Sequence, residues 1–356
     1  MAQQQARILG QQIQGYFETS SYWEYEKSLG HGGYGLATLL VQKAEVGQDR
    51  QRIALKVALP SSAEELRSEI MWLKKLHGAK HIVKILASCD NAAQPDWDES
   101  PLVEGQRPLP PHTPFTSLAQ IEGPVLALEY IENGDMLNLF RRMSVEDVHM
   151  PNRMLWSLYL CLIRACIGMA YPISNLVGTP SVLETIPTDG TLPQGIKHND
   201  IAIRNVMIGT GDGLDEHHIG HIFKLIDFGE AGAVDDPNLG PPENLFTISA
   251  YVAFFINMAG INQRQPVMYK GFATRGGQLL PQSWGEPYPW LDPDLAGLIA
   301  ECMYDDLTKR PTLQQALDRA RHAVLNKTAD SFPEPEEETD KAIMDFVQQF
   351  VLDCSA

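Results

Sequence analysis

The chain has 356 residues, 44% of them hydrophobic and 21% charged, so it can bury a large core, and we expect two lobes. Its net charge of −17 excludes nucleic acid or an anionic membrane as the main partner. The five cysteines are scattered and odd in number, which favours a reducing compartment. Without an apolar signal-peptide core at its start, the chain is expected to be cytoplasmic or nuclear and not secreted.

The N-terminal residues form two predicted units. Residues 1–21 are a Gln-rich extension whose apolar residues have helical spacing. The string SLGHGGYGLATLLV follows, with Gly30, Gly32 and Gly35 in the pattern GxGxxG. Residues of β type lie on both sides (22–29 and 36–41), whereas a dinucleotide site needs a helix after the glycines. The pattern therefore predicts a glycine-rich hairpin that can approach phosphate groups closely.

A lysine and a glutamate are expected to pair in the next two elements. Lys56 lies in the apolar strand RIALKVA, where a lysine needs a partner of opposite charge. The following sequence, SSAEELRSEIMWLKKL, predicts a helix capped by Ser62 and Glu65. Glu69 lies beside the apolar face of that helix, so we expect it to reach Lys56.

Two insertions and two further elements come next. Residues 90–122 are rich in proline and predict an insertion that is a possible partner-binding segment. The strand GPVLALEYIENGD follows it. The apolar run 154–173 approaches membrane-spanning length, but Arg164 near its middle favours a buried core helix over membrane insertion. Residues 172–194 predict a second insertion.

The chemistry concentrates in GIKHNDIAIRNVMI and in KLIDFGEA further along the chain. Asp200 lies two residues after a histidine, Asn205 follows in an apolar run, and Asp227 ends a second apolar run. Two strands joined by a turn would bring Asn205 and Asp227 side by side. Phosphoryl transfer needs such a group, with one carboxylate near the attacking hydroxyl and oxygen ligands that hold Mg²⁺.

The rest of the chain predicts helices and one histidine-bearing turn. Between the two strands, His217, His218 and His221 favour a polar turn over a metal site. An apolar helix is expected over 245–258, and Thr312 with Gln315 predicts the cap of a late helix. Residues 329–356 predict an acidic linker and an amphipathic helix, which either docks on the domain or, over 340–353, binds a partner.

These motifs, in this order, resemble those of the eukaryotic protein kinase family from about residue 22 to residue 324. The resemblance implies an α+β, bilobal fold, with an N-lobe of antiparallel sheet plus one helix (22–131) and a mainly helical C-lobe (132–328). It implies ATP and Mg²⁺ as cofactors and a protein hydroxyl, most often of serine or threonine, as the acceptor.

Roles follow from the resemblance position by position. Lys56 and Glu69 would hold the phosphates, Asp200 would be the general base, and Asn205 and Asp227 would bind Mg²⁺. The nucleotide would contact Gly30, Gly32, Gly35, Ala54, Leu128, Glu129, Ile131 and Met207, with Glu129 and Ile131 offering backbone groups to adenine. His198 and Phe228 would be structural, and Glu243 of PPE would pair with Arg310 of KRPT.

Four departures from the family pattern matter. Asn199 replaces the arginine that commonly binds an activation-loop phosphate, and residues 228–246 contain no Ser, Thr or Tyr, so we expect no loop phosphorylation. Ala202 replaces a lysine whose charge Arg204 could supply. Thr247 stands at the apparent position of the aspartate that anchors the catalytic loop. The short activation segment leaves little chain for docking a peptide.

Three functions are compatible with these observations. The first is an active protein kinase. The second is a small-molecule kinase, similar to choline or aminoglycoside kinases, against which the expected pair of Glu243 and Arg310 argues. The third is a pseudokinase scaffold, against which the intact set of Lys56, Asp200 and Asp227 argues.

Overall fold

The structure is a computed structural model. It describes residues 2–32, 35–43, 50–59, 61–90, 115, 118, 121–173, 180–213, 215–258, 265–283 and 285–352. Most of the predicted proline-rich insertion, part of the second insertion and the last four residues lie outside the described residues.

The fold is α+β, and its largest sheet has five antiparallel strands in the order β1-β2-β3-β5-β4. These strands are β1 (Trp23–His31), β2 (Gly35–Gln42), β3 (Arg52–Ala58), β4 (Ile85–Cys89) and β5 (Val125–Glu129). Three two-stranded ladders follow, formed by β6 (Ile196–Lys197) with β9 (Gly232–Ala233), β7 (Val206–Thr210) with β8 (His221–Leu225), and β10 (Val267–Tyr269) with β11 (Phe272–Thr274).

Eight α-helices lie in the described part of the chain. They are α1 (Ala2–Glu18), α2 (Ala63–Lys75), α3 (Met136–Glu146), α4 (Asn152–Ala170), α5 (Gly240–Asn257), α6 (Pro293–Cys302), α7 (Leu313–Asn326) and α8 (Asp340–Val347). Six of the eight follow the five-stranded sheet in the chain, so the second part of the protein is mainly helical.

The glycine-rich string forms a hairpin, as its sequence predicts. Gly30 lies near the end of β1, and Gly35 is the first residue of β2. The two strands pair antiparallel, and a strand, not a helix, follows the glycines. Gly30 has a φ of 137°, which only glycine adopts readily. A Cβ atom on Gly35 would lie 2.9 Å from the carbonyl oxygen of Val57, so β2 and β3 can approach this closely only with glycine there.

The N-terminal extension forms a helix that packs on the sheet. Ile13 and Phe17 of α1 are buried in a small apolar cluster with Trp23, Leu40 and Ile53. The side chains of β3 alternate, with Ile53, Leu55 and Val57 buried on the α1 side of the strand. Ala54 and Lys56 therefore point to the opposite face of the sheet, where α2 and the rest of the chain lie.

The main core is built around α4. By length and composition this helix is the one candidate membrane span in the described residues, and 94% of its most apolar window is buried inside the protein. It packs against α5, α7 and β8. Arg164, near its middle, pairs with Glu216 and does not face lipid or water. The prediction of a buried core helix is therefore confirmed.

Two of the predicted caps have different outcomes. Thr312 and Gln315 form the expected reciprocal capping box at the start of α7. Ser62 stands at the N-cap of α2, but its side chain makes no cap hydrogen bond. The prediction of a capping box with Glu65 is wrong because Ser62 has a ψ of 28°, outside the extended conformation that such a cap needs.

The C-terminal helix docks on the protein. Ile343 and Val347 of α8 are buried in the main core, together with Phe350 and Val351 just after it. Arg142 of α3 donates a hydrogen bond of 2.6 Å to the carbonyl oxygen of Phe350. The docking alternative is thus confirmed, and a partner for residues 340–353 stays a prediction.

We predict that Ile343→Ala lowers the free energy of unfolding by about 2–4 kcal/mol, because it leaves a cavity where α8 meets the core. Met344, the next residue, is 67% exposed. The matched variant Met344→Ala should change stability by less than about 0.5 kcal/mol. Urea denaturation of both variants tests this, and equal stabilities would mean that α8 does not dock in solution.

Candidate active site

The centre of the candidate site is a lysine held between two carboxylates. Lys56 Nζ lies 2.5 Å from Glu69 Oε2 and 2.9 Å from Asp227 Oδ1. Glu69 is buried within α2, and Asp227 lies two residues after the end of β8. The contact with Glu69 confirms the pair that the sequence predicts. The structure thus joins β3, α2 and the end of β8 at one cation.

Lys56 and Asp227 stabilise each other's charged forms, whereas burial and the nearby charge of Asp227 raise the pKa of Glu69 above its usual value. Burial would lower the pKa of Lys56, but the charges of Glu69 and Asp227 raise it above its usual value. Burial would likewise raise the pKa of Asp227, but Lys56 lowers it below its usual value. Lys56 is therefore a fixed positive charge at neutral pH, and Asp227 is a fixed carboxylate.

The β7–β8 hairpin places Asn205 beside Asp227. Val206 pairs with Leu225 in the ladder, and the N–H of Ile226 donates to the carbonyl oxygen of Asn205 at 2.9 Å. The two predicted Mg²⁺ ligands therefore flank the last rung of one two-stranded ladder. The backbone of Asp227 is left-handed, with a φ of 64°, so the chain turns sharply as it leaves β8.

Asp200 accepts hydrogen bonds from two neighbours on its own loop. Its Oδ2 lies 2.6 Å from a guanidinium nitrogen of Arg204 and 2.9 Å from Nδ2 of Asn205. Asn205 Nδ2 also donates to the carbonyl oxygen of Asp200 at 2.8 Å. With its amide nitrogen used in this way, the oxygen Oδ1 of Asn205 is the atom that can bind a cation.

His198 orients the loop from beneath. Its Nδ1 accepts the backbone N–H of Asp200 at 3.2 Å, and its Nε2 lies 3.0 Å from the carbonyl oxygen of Ile226. Only a neutral ring that carries its proton on Nε2 makes both bonds. The buried ring of Phe228 packs edge-on against His198, with the ring centroids 4.5 Å apart. His198 and Phe228 are therefore buried together beneath the loop, and the roles that the resemblance implies for them stay predictions.

Asn199 connects the loop around Asp200 to the segment after Asp227. Its Nδ2 donates a 3.0 Å hydrogen bond to the carbonyl oxygen of Glu230. Close by, β6 pairs with β9, so the same segment is also held by a short ladder. The loop and the segment are thus joined by a hydrogen bond between neutral groups.

The expected adenine-contacting residues lie on three neighbouring elements. Leu128 and Ile131 are buried in the main core, and the half-buried Ala54 and Met207 pack against the same cluster. The N–H of Glu129 donates to the carbonyl oxygen of Lys84, and the expected backbone contacts of Glu129 and Ile131 with adenine stay predictions. The Glu129 carboxylate instead binds Lys224 of β8 at 2.6 Å. Nothing in the structure tests the roles of Gly30 and Gly32.

The residue of α5 that holds the loop around His198 is Asn244 and not Thr247. Buried Asn244 donates from Nδ2 to the carbonyl oxygen of Ile196 at 2.7 Å and accepts the N–H of His198 at 3.4 Å. The Thr247 hydroxyl donates to the carbonyl oxygen of Glu243 in its own helix. The residue that the sequence places at this position lies one helical turn further along α5. The helix carries several polar residues, and the sequence pattern does not show which side of it faces the loop.

The predicted ion pair between Glu243 and Arg310 does not form. The Glu243 carboxylate pairs with Lys197 of β6. Arg310 donates to the carbonyl oxygen of Pro242 at 2.9 Å and lies over the ring of Phe246. Arg310 therefore contacts the expected segment, but through the carbonyl oxygen of Pro242 and the ring of Phe246. Glu243 stands in the first turn of α5, and its carboxylate reaches the short strand β6.

The sequence matches none of the models of known protein families and is not similar to any curated protein. Function is therefore inferred from the residues and geometry of the site alone.

We predict that Asn244→Ala lowers the free energy of unfolding by about 1–3 kcal/mol, because it leaves the buried Ile196 carbonyl without its donor. It should also speed amide hydrogen exchange at His198. Thr247→Ala is the matched control, and its cost should stay below about 1 kcal/mol, because that hydroxyl bonds only within α5. Equal losses in the two variants would contradict the assignment of Asn244.

We also predict that stability falls as the pH drops below about 6.5. Burial lowers the pKa of His198, so the unfolded chain binds a proton in this range that the folded protein resists. The contribution of His198 to the free energy of unfolding changes by at most about 1.4 kcal/mol per pH unit.

Denaturation at pH 7.5 and 5.5 should show a weaker pH dependence for His198→Gln than for the wild type. His218→Gln, at an exposed site, should behave as the wild type; an unchanged dependence in His198→Gln would contradict the prediction.

Proposed function

We propose that the chain is an ATP- and Mg²⁺-dependent protein kinase with a bilobal fold of the eukaryotic protein kinase type. The observation that carries the proposal is the position of Lys56 between Glu69, from the next helix, and Asp227, which lies 171 positions further along the chain. A cation oriented by one carboxylate and adjacent to a second suits the binding of a metal–nucleotide complex.

The residues present fit Mg²⁺. The carboxylate of Asp227 and the Oδ1 atom of Asn205 are hard oxygen ligands, which Mg²⁺ prefers, and they flank one rung of the β7–β8 ladder. Bound Mg²⁺ supplies charge neutralisation on the nucleotide phosphates. The low pKa of Asp227 keeps this ligand ionised at neutral pH.

The chain's own residues then have distinct tasks. Lys56 is a fixed cation for the phosphates, and Glu69 holds its ammonium group in place. Asp200 is the carboxylate that accepts the proton of the attacking hydroxyl. Arg204, 2.6 Å from Asp200, keeps that carboxylate oriented and adds positive charge near the transferred group. The catalysis is mainly positioning and charge stabilisation.

A second candidate function is phosphoryl transfer to a small molecule. The expected pair of Glu243 and Arg310 is the feature that argues against it, and Glu243 pairs with Lys197 instead. Glu243 lies only 16 positions after Asp227, which limits the surface that can dock a peptide. The choice between the two functions is a choice of acceptor and leaves the roles of Lys56, Asp200 and Asp227 unchanged.

We predict that the wild type transfers the γ-phosphate of Mg-ATP and that Asp200→Asn lowers the turnover by about 10²–10⁴-fold. Nucleotide affinity should stay close to that of the wild type, because Asp200 is placed to contact the acceptor hydroxyl. The control is Asp235→Asn, an exposed aspartate in the segment after Asp227. Radiolabel transfer measures turnover, and calorimetry measures affinity.

The acceptor panel contains the protein itself, generic protein substrates and small hydroxylated amines. Label on protein Ser, Thr or Tyr in the wild type alone supports the protein kinase. Label on a small molecule alone supports the second candidate. Nucleotide binding without any transfer would overturn both and favour a pseudokinase scaffold, and near-normal turnover in Asp200→Asn would overturn the assignment of the base.

A further inference from the structure

A buried cluster of His81, Cys161 and His217 lies outside the candidate active site. His81 stands between α2 and β4, Cys161 is in α4, and His217 is between β7 and β8. Their side chains are at most 2% exposed. The nearest ligand atoms of the three residues all lie within 4.8 Å of one another, and the two Nε2 atoms are 3.0 Å apart.

Each histidine has a carboxylate at the opposite nitrogen of its ring. His81 Nδ1 lies 2.7 Å from Glu184 Oε2, and the other Glu184 oxygen accepts the backbone N–H of His81 at 2.7 Å. His217 Nδ1 lies 3.4 Å from Asp212 Oδ1. Histidines that bind metals almost always make such an outer contact, which orients the ring and makes the free nitrogen a better ligand.

His81 Nε2 and His217 Nε2 face each other across 3.0 Å, so a proton or a metal ion must lie between them. Two ligands of a tetrahedral ion with Zn–N bonds of about 2.0–2.1 Å stand about 3.3 Å apart, close to the observed distance.

We propose that His81 Nε2, His217 Nε2 and Cys161 Sγ bind a Zn²⁺ ion. Two imidazoles and one thiolate are ligands that Zn²⁺ prefers, whereas Mg²⁺ and Ca²⁺ prefer oxygen. Water or a small anion completes a tetrahedron. The Sγ atom of Cys161 lies within 4.8 Å of the ligand nitrogens of both histidines, so the three ligand atoms can converge on one ion.

The surrounding contacts point to a structural ion. The N–H of Leu225 donates to the carbonyl oxygen of His81 at 2.9 Å, and Leu225 lies two residues before Asp227. Arg164 donates to the carbonyl oxygen of Glu184 and pairs with Glu216, next to His217. The ion therefore ties the loop before β4, the core helix α4 and the β7–β8 hairpin together, behind the hairpin that carries Asn205 and Asp227.

The test measures metal directly, without nucleotide or acceptor, so its outcome is independent of the proposed phosphoryl transfer. Full-length wild-type protein from zinc-supplemented growth, dialysed against a weak chelator, should contain about one zinc per chain by elemental analysis. Replacement by Co²⁺ should give a thiolate-to-cobalt charge-transfer band and the intense visible bands of a tetrahedral site. Removing the zinc should lower the melting temperature.

The matched variants are Cys161→Ala and Cys166→Ala, two buried cysteines of α4 of which only the first lies in the cluster. Cys161→Ala should lose the charge-transfer band and most of the zinc, and Cys166→Ala should keep both. Glu184→Gln should weaken zinc affinity about 10- to 100-fold in competition with a chromophoric chelator.

Three results would overturn the proposal. The first is wild-type protein that carries no zinc and whose melting temperature does not respond to zinc or chelator, which would indicate a hydrogen-bonded His–Cys cluster only. The second is undiminished zinc binding in folded Cys161→Ala. The third is stoichiometric copper in place of zinc, which would mean a trigonal site for a softer ion. The wild-type measurements decide the matter even if Cys161→Ala does not fold.

Discussion

The structure depends on one half-buried cation between two carboxylates. Lys56 comes from the sheet, Glu69 from the helix that packs on it, and Asp227 from a hairpin more than 150 residues later. Removing Lys56 would leave the buried carboxylate of Glu69 without its partner, which costs several kcal/mol, so the three elements hold a common geometry. This interaction fixes the arrangement of the three elements. It also places the positive charge of Lys56 and the carboxylate of Asp227 side by side.

The β7–β8 hairpin transmits this geometry to the catalytic loop. One of its strands begins after Asn205 and the other ends before Asp227, so a single ladder sets the distance between the two proposed Mg²⁺ ligands. His198 binds Ile226 on one side and Asp200 on the other, which makes the loop and the hairpin one hydrogen-bonded unit. On the far side, the carbonyl of His81 binds Leu225, so the proposed zinc site supports the same strand.

The second half of the chain holds the loop through neutral groups and local contacts. Asn244 binds the backbone on both sides of Lys197, and Asn199 binds the carbonyl of Glu230. Amides do both with no net charge, so neither contact needs phosphorylation or a change of protonation. The segment after Asp227 is short and held at both ends, by Asn199 at Glu230 and by Arg310 at Pro242.

The sequence by itself determined the features that depend on local periodicity and short spacing. Patterns within a few elements predict four of these features: the glycine hairpin, the core helix around Arg164, the Thr312–Gln315 cap and the pair of Lys56 with Glu69. Only the tertiary structure decided which polar residue of α5 faces the loop, which cation pairs with Glu243, and that His81, Cys161 and His217 meet. These outcomes depend on how helices rotate and on which distant segments pack together, and a linear pattern does not record either.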